Sequence, residues 1–389
     1  MNDLRCDADR LATRLVEWRR ELHRNPELGF DLPLTAAFVA RRLGDLGVEV
    51  RTGIGRAGVV GILRSDRGRG TVLLRADMDA LPVQEAPGRE YGSTIPGRMH
   101  ACGHDGHVAM LLGAAELLVP RRAALSRGVA FCFQPAEEGA GGAREMIDDG
   151  VLETTGATEA YALHLWSRFP AGTLRTRSGP VMAAQDEFAA TIVGRGGHAA
   201  LPHEAADPVV AASQAVVALQ AVVSRCVDPL EPAVVSVGSF HAGSAPNAIP
   251  GEARLLGTLR SFRPEVRDLL RRRVREVLEA AAHGAGCRLD LDLTPGYPAV
   301  VNDARAAARL RTAAVEALGT DAVLEASPLA ASEDFAFFLE RVPGAFGLLG
   351  AGDPARGIDA PHHSPGFDFD ESVLPRGAEI LARVALAPE

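Results

Sequence analysis

The chain has 389 residues, of which 47% are apolar and 23% charged, and a formal net charge of −9. Such proportions describe an ordinary globular protein able to bury large cores, and at roughly 150 residues per domain they imply two or three domains. The negative balance gives no electrostatic footprint for nucleic acid or an anionic membrane. All 41 basic residues are arginine, which excludes lysine Schiff-base and P-loop chemistry.

The polar stretch Met1–Arg10 predicts neither a signal peptide nor a membrane anchor. No apolar run reaches the ~18 residues of a spanning helix; the longest, Val209–Val223, is interrupted by Ser213 and Gln214. Five scattered cysteines argue against a disulfide framework and for a reducing, cytoplasmic setting. Leu11, Leu15, Val16, Trp18 and Leu22 recur at helical spacing, predicting an amphipathic helix over 7–23 that ends at Asn25-Pro26. A second helix is predicted over 35–46. Strand-like runs follow over 58–63, 71–76, 129–133 and 160–165, with a helix over 106–118. This alternation predicts an α/β sandwich with a largely parallel sheet.

Beyond Ser178-Gly179-Pro180 the texture changes. A strand over 185–193, a helix over 208–225, strands over 233–240 and 254–260, a helix over 264–283 and a strand over 287–293 follow the ferredoxin-like β-α-β-β-α-β order. The series closes at a linker, Thr294-Pro295-Gly296-Tyr297-Pro298. Helices expected over 303–318, 333–341 and 372–386 return the chain to the first domain. The expected organisation is therefore an insertion: residues 1–182 and 296–389 form a catalytic, metal-binding domain, interrupted by a smaller one over 183–295.

The chemistry concentrates in Met99-His-Ala-Cys-Gly-His-Asp-Gly-His107, where one thiol, three imidazoles and a carboxylate fall within nine residues. Thiolate and neutral imidazole bind zinc-like cations. Gly103 and Gly106 suit a tight ligand loop around Cys102 and His104. His100 and His107 read as helix-start residues or supports for the ligands. The neighbours Glu137 and Glu138 diverge in an extended loop, so one can ligate while the other acts as general base. Asp77 and Asp79 close an apolar strand, where one acid can orient a histidine ligand. His164 lies inside an apolar run, and one of His362 and His363 is expected to be a ligand. A Gly-x-Ser-x-Gly nucleophile elbow is absent. A Cys102 nucleophile activated by nearby histidines remains a chemical alternative.

Six motifs in order, His100-Ala-Cys-Gly-His-Asp105, Gln134-Pro-Ala-Glu-Glu-Gly139, Gly196-Gly-His-Ala-Ala-Leu-Pro-His203, Ala245-Pro-Asn-Ala-Ile-Pro250, Ser332-Glu-Asp-Phe335 and His363-Ser-Pro365, cover nearly the whole chain. They resemble the di-metal aminoacylase and carboxypeptidase superfamily, in its hippurate hydrolase and auxin-conjugate amidohydrolase branch. The resemblance implies metal ligands at Cys102, His104, Glu138, His164 and His363, and a general acid/base at Glu137. Asp79 matches the orienting acid, while Asp77 stands where other branches place a histidine ligand. His198 matches a lid histidine that polarises the scissile carbonyl. Asn247 and Arg260 match positions facing the substrate carboxylate.

The implied fold is a zinc-peptidase-like α/β catalytic domain with an inserted ferredoxin-like α+β lid that also dimerises. The implied activity is hydrolysis of N-acyl amino acids, hippurate-like or auxin-conjugate-like, to a carboxylic acid and a free amino acid. Two divalent ions per subunit, of zinc, manganese or cobalt, would serve a small-molecule substrate in a homodimer where His198 completes the partner's site. The alternatives are a Cys102-nucleophile hydrolase and a non-catalytic metal- or ligand-binding dimer.

Overall fold

A computed structural model describes residues 2–68 and 70–388. The chain folds as two compact units. The first comprises Met1–Val181, Val301–Ser327 and Asp334–Glu389; the second comprises Met182–Val300 together with Pro328–Glu333.

In the first unit the described residues form an eight-stranded sheet. Its spatial order is Glu49–Ile54, Gly58–Leu63, Gly128–Gln134, Thr71–Asp77, Ala157–Pro170, Gly344–Gly352, Leu174–Thr176 and Val323–Glu325. The centre is parallel, from Gly128–Gln134 through Thr71–Asp77 and Ala157–Pro170 to Gly344–Gly352. Antiparallel pairings appear outside it, so the sheet is mixed where the sequence predicts a largely parallel one. Strands Gly58–Leu63, Thr71–Asp77 and Gly128–Gln134 are buried throughout. Coverage on both faces is why they read as unbroken apolar runs.

Two strands escape that signal. Glu49–Ile54 is an exposed edge. Gly344–Gly352 carries four glycines yet lies fully buried in the parallel centre. A Cβ on Gly344 would meet Ala160 O at 2.0 Å, and one on Gly352 would meet Ser167 O at 1.9 Å. Glycine is therefore required by close backbone approach, not by a loop. The helix expected over 7–23 is two helices, Asn2–Arg10 and Ala12–Arg24. The helix expected over 333–341 is only the short Ala336–Leu339. The buried helix His104–Leu118 packs against Ala12–Arg24 and Leu374–Leu386, placing its first turn beside the carboxyl ends of the parallel strands, where α/β folds gather ligands.

The second unit is a four-stranded antiparallel sheet in the order Ala233–Ala242, Glu252–Ser261, Ala184–Val193 and Arg288–Pro295. Helices Pro208–Cys226 and Pro264–Gly284 pack on it. This is a ferredoxin-like arrangement. The strand Ala184–Val193 alternates between buried and more accessible residues, so one face carries the helices and the other stays open. Contrary to the sequence expectation, Pro208–Cys226 is long and apolar enough to cross a membrane, with mean hydropathy 1.5. Its Ala211, Ala215, Leu219 and Val222 stripe is buried in the core of this unit.

Candidate metal centre

Strand ends and helix starts converge on Cys102. Its Sγ lies 3.5 Å from His164 Nε2, and donor atoms of Cys102, His104 and His164 all fall within 4.8 Å of one another. A second group joins Cys102 to Glu138 and His363, with His363 Nε2 3.3 Å from Glu138 Oε1. The thiol thus belongs to two donor sets. A third set places Glu137 and Glu138 beside His104, whose Nε2 is buried and makes no hydrogen bond. An orphaned imidazole nitrogen among thiol and carboxylate donors is a costly arrangement without a cation. The residues fit divalent metal.

Neighbouring groups fix the tautomers. His104 Nδ1 donates to the Asp79 carbonyl at 2.8 Å, and His164 Nδ1 to the Leu165 carbonyl at 2.7 Å. Each leaves its Nε2 lone pair for the cluster. His107 has both nitrogens engaged: Nδ1 donates to Asp77 and Nε2 accepts the Leu165 amide at 2.9 Å. It supports the site from behind. His362 donates from Nε2 to Leu165 O at 3.0 Å and lies 4.6 Å from the Trp166 ring and 4.7 Å from Phe367. Of the two adjacent histidines, His363 is the one in the donor cluster. His100 is buried and its ring nitrogens make no hydrogen bond.

Electrostatics favour a positive charge at the centre. Burial opposes the charged form of His104, yet the carboxylates of Asp77, Asp79 and Glu138 outweigh it and push the imidazole up to about 10. Burial, reinforced by His107 and His362, holds His164 well below the ordinary histidine range. A metal ion would take the place of the proton that these carboxylates attract.

The carboxylate of Asp79 does something unexpected. Its two oxygens accept the backbone amides of Glu137 at 2.9 Å and Glu138 at 3.1 Å, while its backbone carbonyl accepts the His104 Nδ1 hydrogen bond. Nearby backbone is strained: Ala136 and His363 have φ of 55° and 63°, a region non-glycine residues seldom adopt without a functional reason. The His363 amide donates to Ala101 O at 2.8 Å, tying the C-terminal loop to the Cys102 loop.

In the second unit, His198 pairs with Ala248 in a two-stranded ribbon and accepts the Ala200 amide on Nδ1 at 3.1 Å. The adjoining Asn247 carbonyl accepts the Ala199 amide at 3.1 Å, so these two residues share one exposed patch. Arg260 lies on the separate four-stranded sheet, half-buried, donating to Thr258 Oγ1 at 2.8 Å. Sequence reasoning gave no role to Arg75, Gln134 or Asp334, all buried in the first unit. Arg75 had one available signal, a cation inside the apolar run Thr71–Ala76. Arg19, likewise unnoticed, is fully buried and donates from Nε to Asp105 at 2.8 Å, beneath the ligand helix.

A family model described as peptidase family M20/M25/M40 matches residues 73–387. IAA-amino acid hydrolase ILR1-like 5 of Arabidopsis thaliana is 41% identical over 375 residues, covering 95% of this chain and 86% of that protein. Thermostable carboxypeptidase 2 of Saccharolobus solfataricus is 39% identical over 388 residues, covering 98% and 97%. The crystal structure of the Bacillus subtilis YXEP protein, described as a dinuclear metal binding peptidase from the M20 family, has a TM-score of 0.84 at 34% identity, covering 97% of this chain and 98% of that one. With the match spanning most of its length, the chain belongs to peptidase family M20/M25/M40.

Proposed function

We propose that this protein is a metal-dependent amidohydrolase that cleaves N-acyl amino acids to a carboxylic acid and a free amino acid. The observation that carries this reading is the pair of donor sets that share Cys102: with His104 and His164 in one and with Glu138 and His363 in the other, these residues would hold divalent metal. When bound, such ions supply Lewis acidity toward a carbonyl and toward water. Glu137, buried and held through its amide by Asp79, takes a proton from the attacking water and delivers it to the leaving nitrogen. The motif positions of His198, Asn247 and Arg260, all in the second unit, support oxyanion donation by His198 and carboxylate recognition by Asn247 and Arg260. A Cys102 nucleophile would not need Glu138, whose carboxylate beside the thiol opposes thiolate formation.

The relatives bear on the substrate class. One is named an IAA-amino acid hydrolase and another a carboxypeptidase, and an amide with a free carboxylate on its amine side is consistent with both names. We further propose a homodimer, supported by the uncharged exposed positions Val210 and Val217 on the helix Pro208–Cys226. The direct test is a panel of N-acyl amino acids, each offered as the free acid and as the methyl ester. The free acids should be cleaved and the esters should react much more slowly at the amide. Equal rates would remove carboxylate recognition, and no cleavage of any member would remove the substrate class.

A further inference from the structure

The donor sets that share Cys102 do not include the motif Ser332-Glu333-Asp334-Phe335, yet a carboxylate oxygen of Asp334 lies within 4.8 Å of one of Glu137. Asp334 opens the last stretch of the first unit, and its carboxylate is fully buried. Its Oδ1 accepts Arg75 Nη2 at 2.9 Å and Gln134 Nε2 at 2.8 Å. Its Oδ2 accepts Gln134 Nε2 at 2.8 Å and the Ala143 amide at 2.9 Å. Arg75 also donates to Gln134 Oε1 and Asp77 Oδ2, both at 2.8 Å. Phe335 and Phe338 are fully buried, and the Phe337 amide on Asp334 O at 2.9 Å closes a turn at this point. The aspartate cannot drift.

Gln134 and Ala143 are the two ends of the segment that carries Glu137 and Glu138. Between them the backbone folds back, with the Gly142 amide on Ala136 O at 3.0 Å and Ala136 in the left-handed region. Asp79 holds the middle of this loop by the amides of Glu137 and Glu138; Asp334 holds both ends. The guanidinium fork of Arg75 locks the same carboxylate to the strand that supplies Asp77, and hence to His107. Such a buried ion cluster is a poor way to gain stability alone, since apolar replacements often serve as well. It is an effective way to fix the relative position of two strand ends, because the planar fork dictates direction as well as distance.

We propose that Asp334, clasped by Arg75, is a positioning residue that sets the Glu137 carboxylate for proton transfer. The proposal rests on the amide-hydrolase reading for its catalytic consequence. A displacement of about 1 Å at a reacting group costs on the order of 10²-fold in rate. Asp334→Asn should therefore lower kcat by on the order of 10²-fold, with KM shifted by less than about threefold because uniform substrate binding is untouched. Because Glu138 rides on the same loop, the rate is read per metal-loaded site, from bound metal measured on the same sample. Hydrogen exchange of amides in 134–143, followed by mass spectrometry on metal-free protein, should accelerate while the second unit is unchanged.

Should Asp334→Asn fail to fold, Arg75→Lys keeps the charge but loses the fork, and the same pattern is expected with a smaller fall in kcat. A purely stabilising role predicts a lower Tm with unchanged kcat per metal-loaded site, and that result overturns the proposal. So does wild-type protection of 134–143 in the variant. The two readings separate cleanly: if the wild type cleaves no N-acyl amino acid, the amide-hydrolase reading falls, while the exchange pattern still judges the clasp.

Discussion

Glu137 and Glu138 are adjacent in sequence and differ in their surroundings. Glu138 lies within reach of His363, His104 and Cys102, whereas Glu137 stands beside His104 with its amide pinned by Asp79. Glu137→Gln should keep metal and fold and lose turnover by roughly 10²–10⁴-fold, the usual value of a positioned proton donor and acceptor. Glu138→Gln should instead lower bound metal. Elemental analysis beside steady-state kinetics checks both, and exchanged phenotypes would reverse the assignment. At this scale the candidate ligands were legible because thiol, imidazole and carboxylate crowd into short motifs that structure alone does not explain. Arg75 and Asp334 were not legible as a pair: 259 positions separate them, and their relation exists only in the fold. The double amide contact of Asp79 was hidden for a similar reason, since backbone acceptance leaves no pattern in side-chain chemistry.

Elements around the centre are tied down by buried charge. Glu85 joins the segment after Asp79 to the helix Ala12–Arg24: His23 Nε2 is 3.3 Å from its Oε1, the Ser93 amide donates at 2.6 Å and Arg89 at 3.0 Å. Burial raises the proton affinity of the carboxyl, but hydrogen bonds from His23 and the Ser93 amide outweigh it and bring Glu85 down to about 2 from 4.5. A carboxyl depressed in the folded state contributes stability above its unfolded value and loses it as the pH falls through the folded one. Urea unfolding should therefore show stability falling as pH drops from 4.5 toward 2, with a shallower fall in Glu85→Gln; equal slopes would deny Glu85 this part. Most elements were legible from period and run length. Gly344–Gly352 was not, because four glycines in nine residues look like a turn until the neighbouring backbones that demand them are in place. Glu49–Ile54 was missed because a solvent-facing edge need not be apolar.

At the scale of the molecule, the ferredoxin-like order of the second unit was readable because alternation and helical period switch cleanly between Ala184 and Pro295. The return of Pro328–Glu333 to that unit carries no such period. If His198 completes the site of a partner subunit, two inactive variants, His198→Ala and Glu137→Gln, should complement after subunit exchange. One composite site in each heterodimer keeps both intact residues, so activity should reach about half of one normal pair. Verified exchange without recovery would confine His198 to its own chain.

The central claim is that hydrolysis depends on metal held around Cys102. Its most direct test is reconstitution of the chelated protein with zinc, manganese or cobalt, measuring bound metal and N-acyl amino acid hydrolysis on the same samples. Turnover should be absent without metal and should rise with occupancy to saturate near two ions per chain. Full activity in rigorously metal-free protein would contradict it.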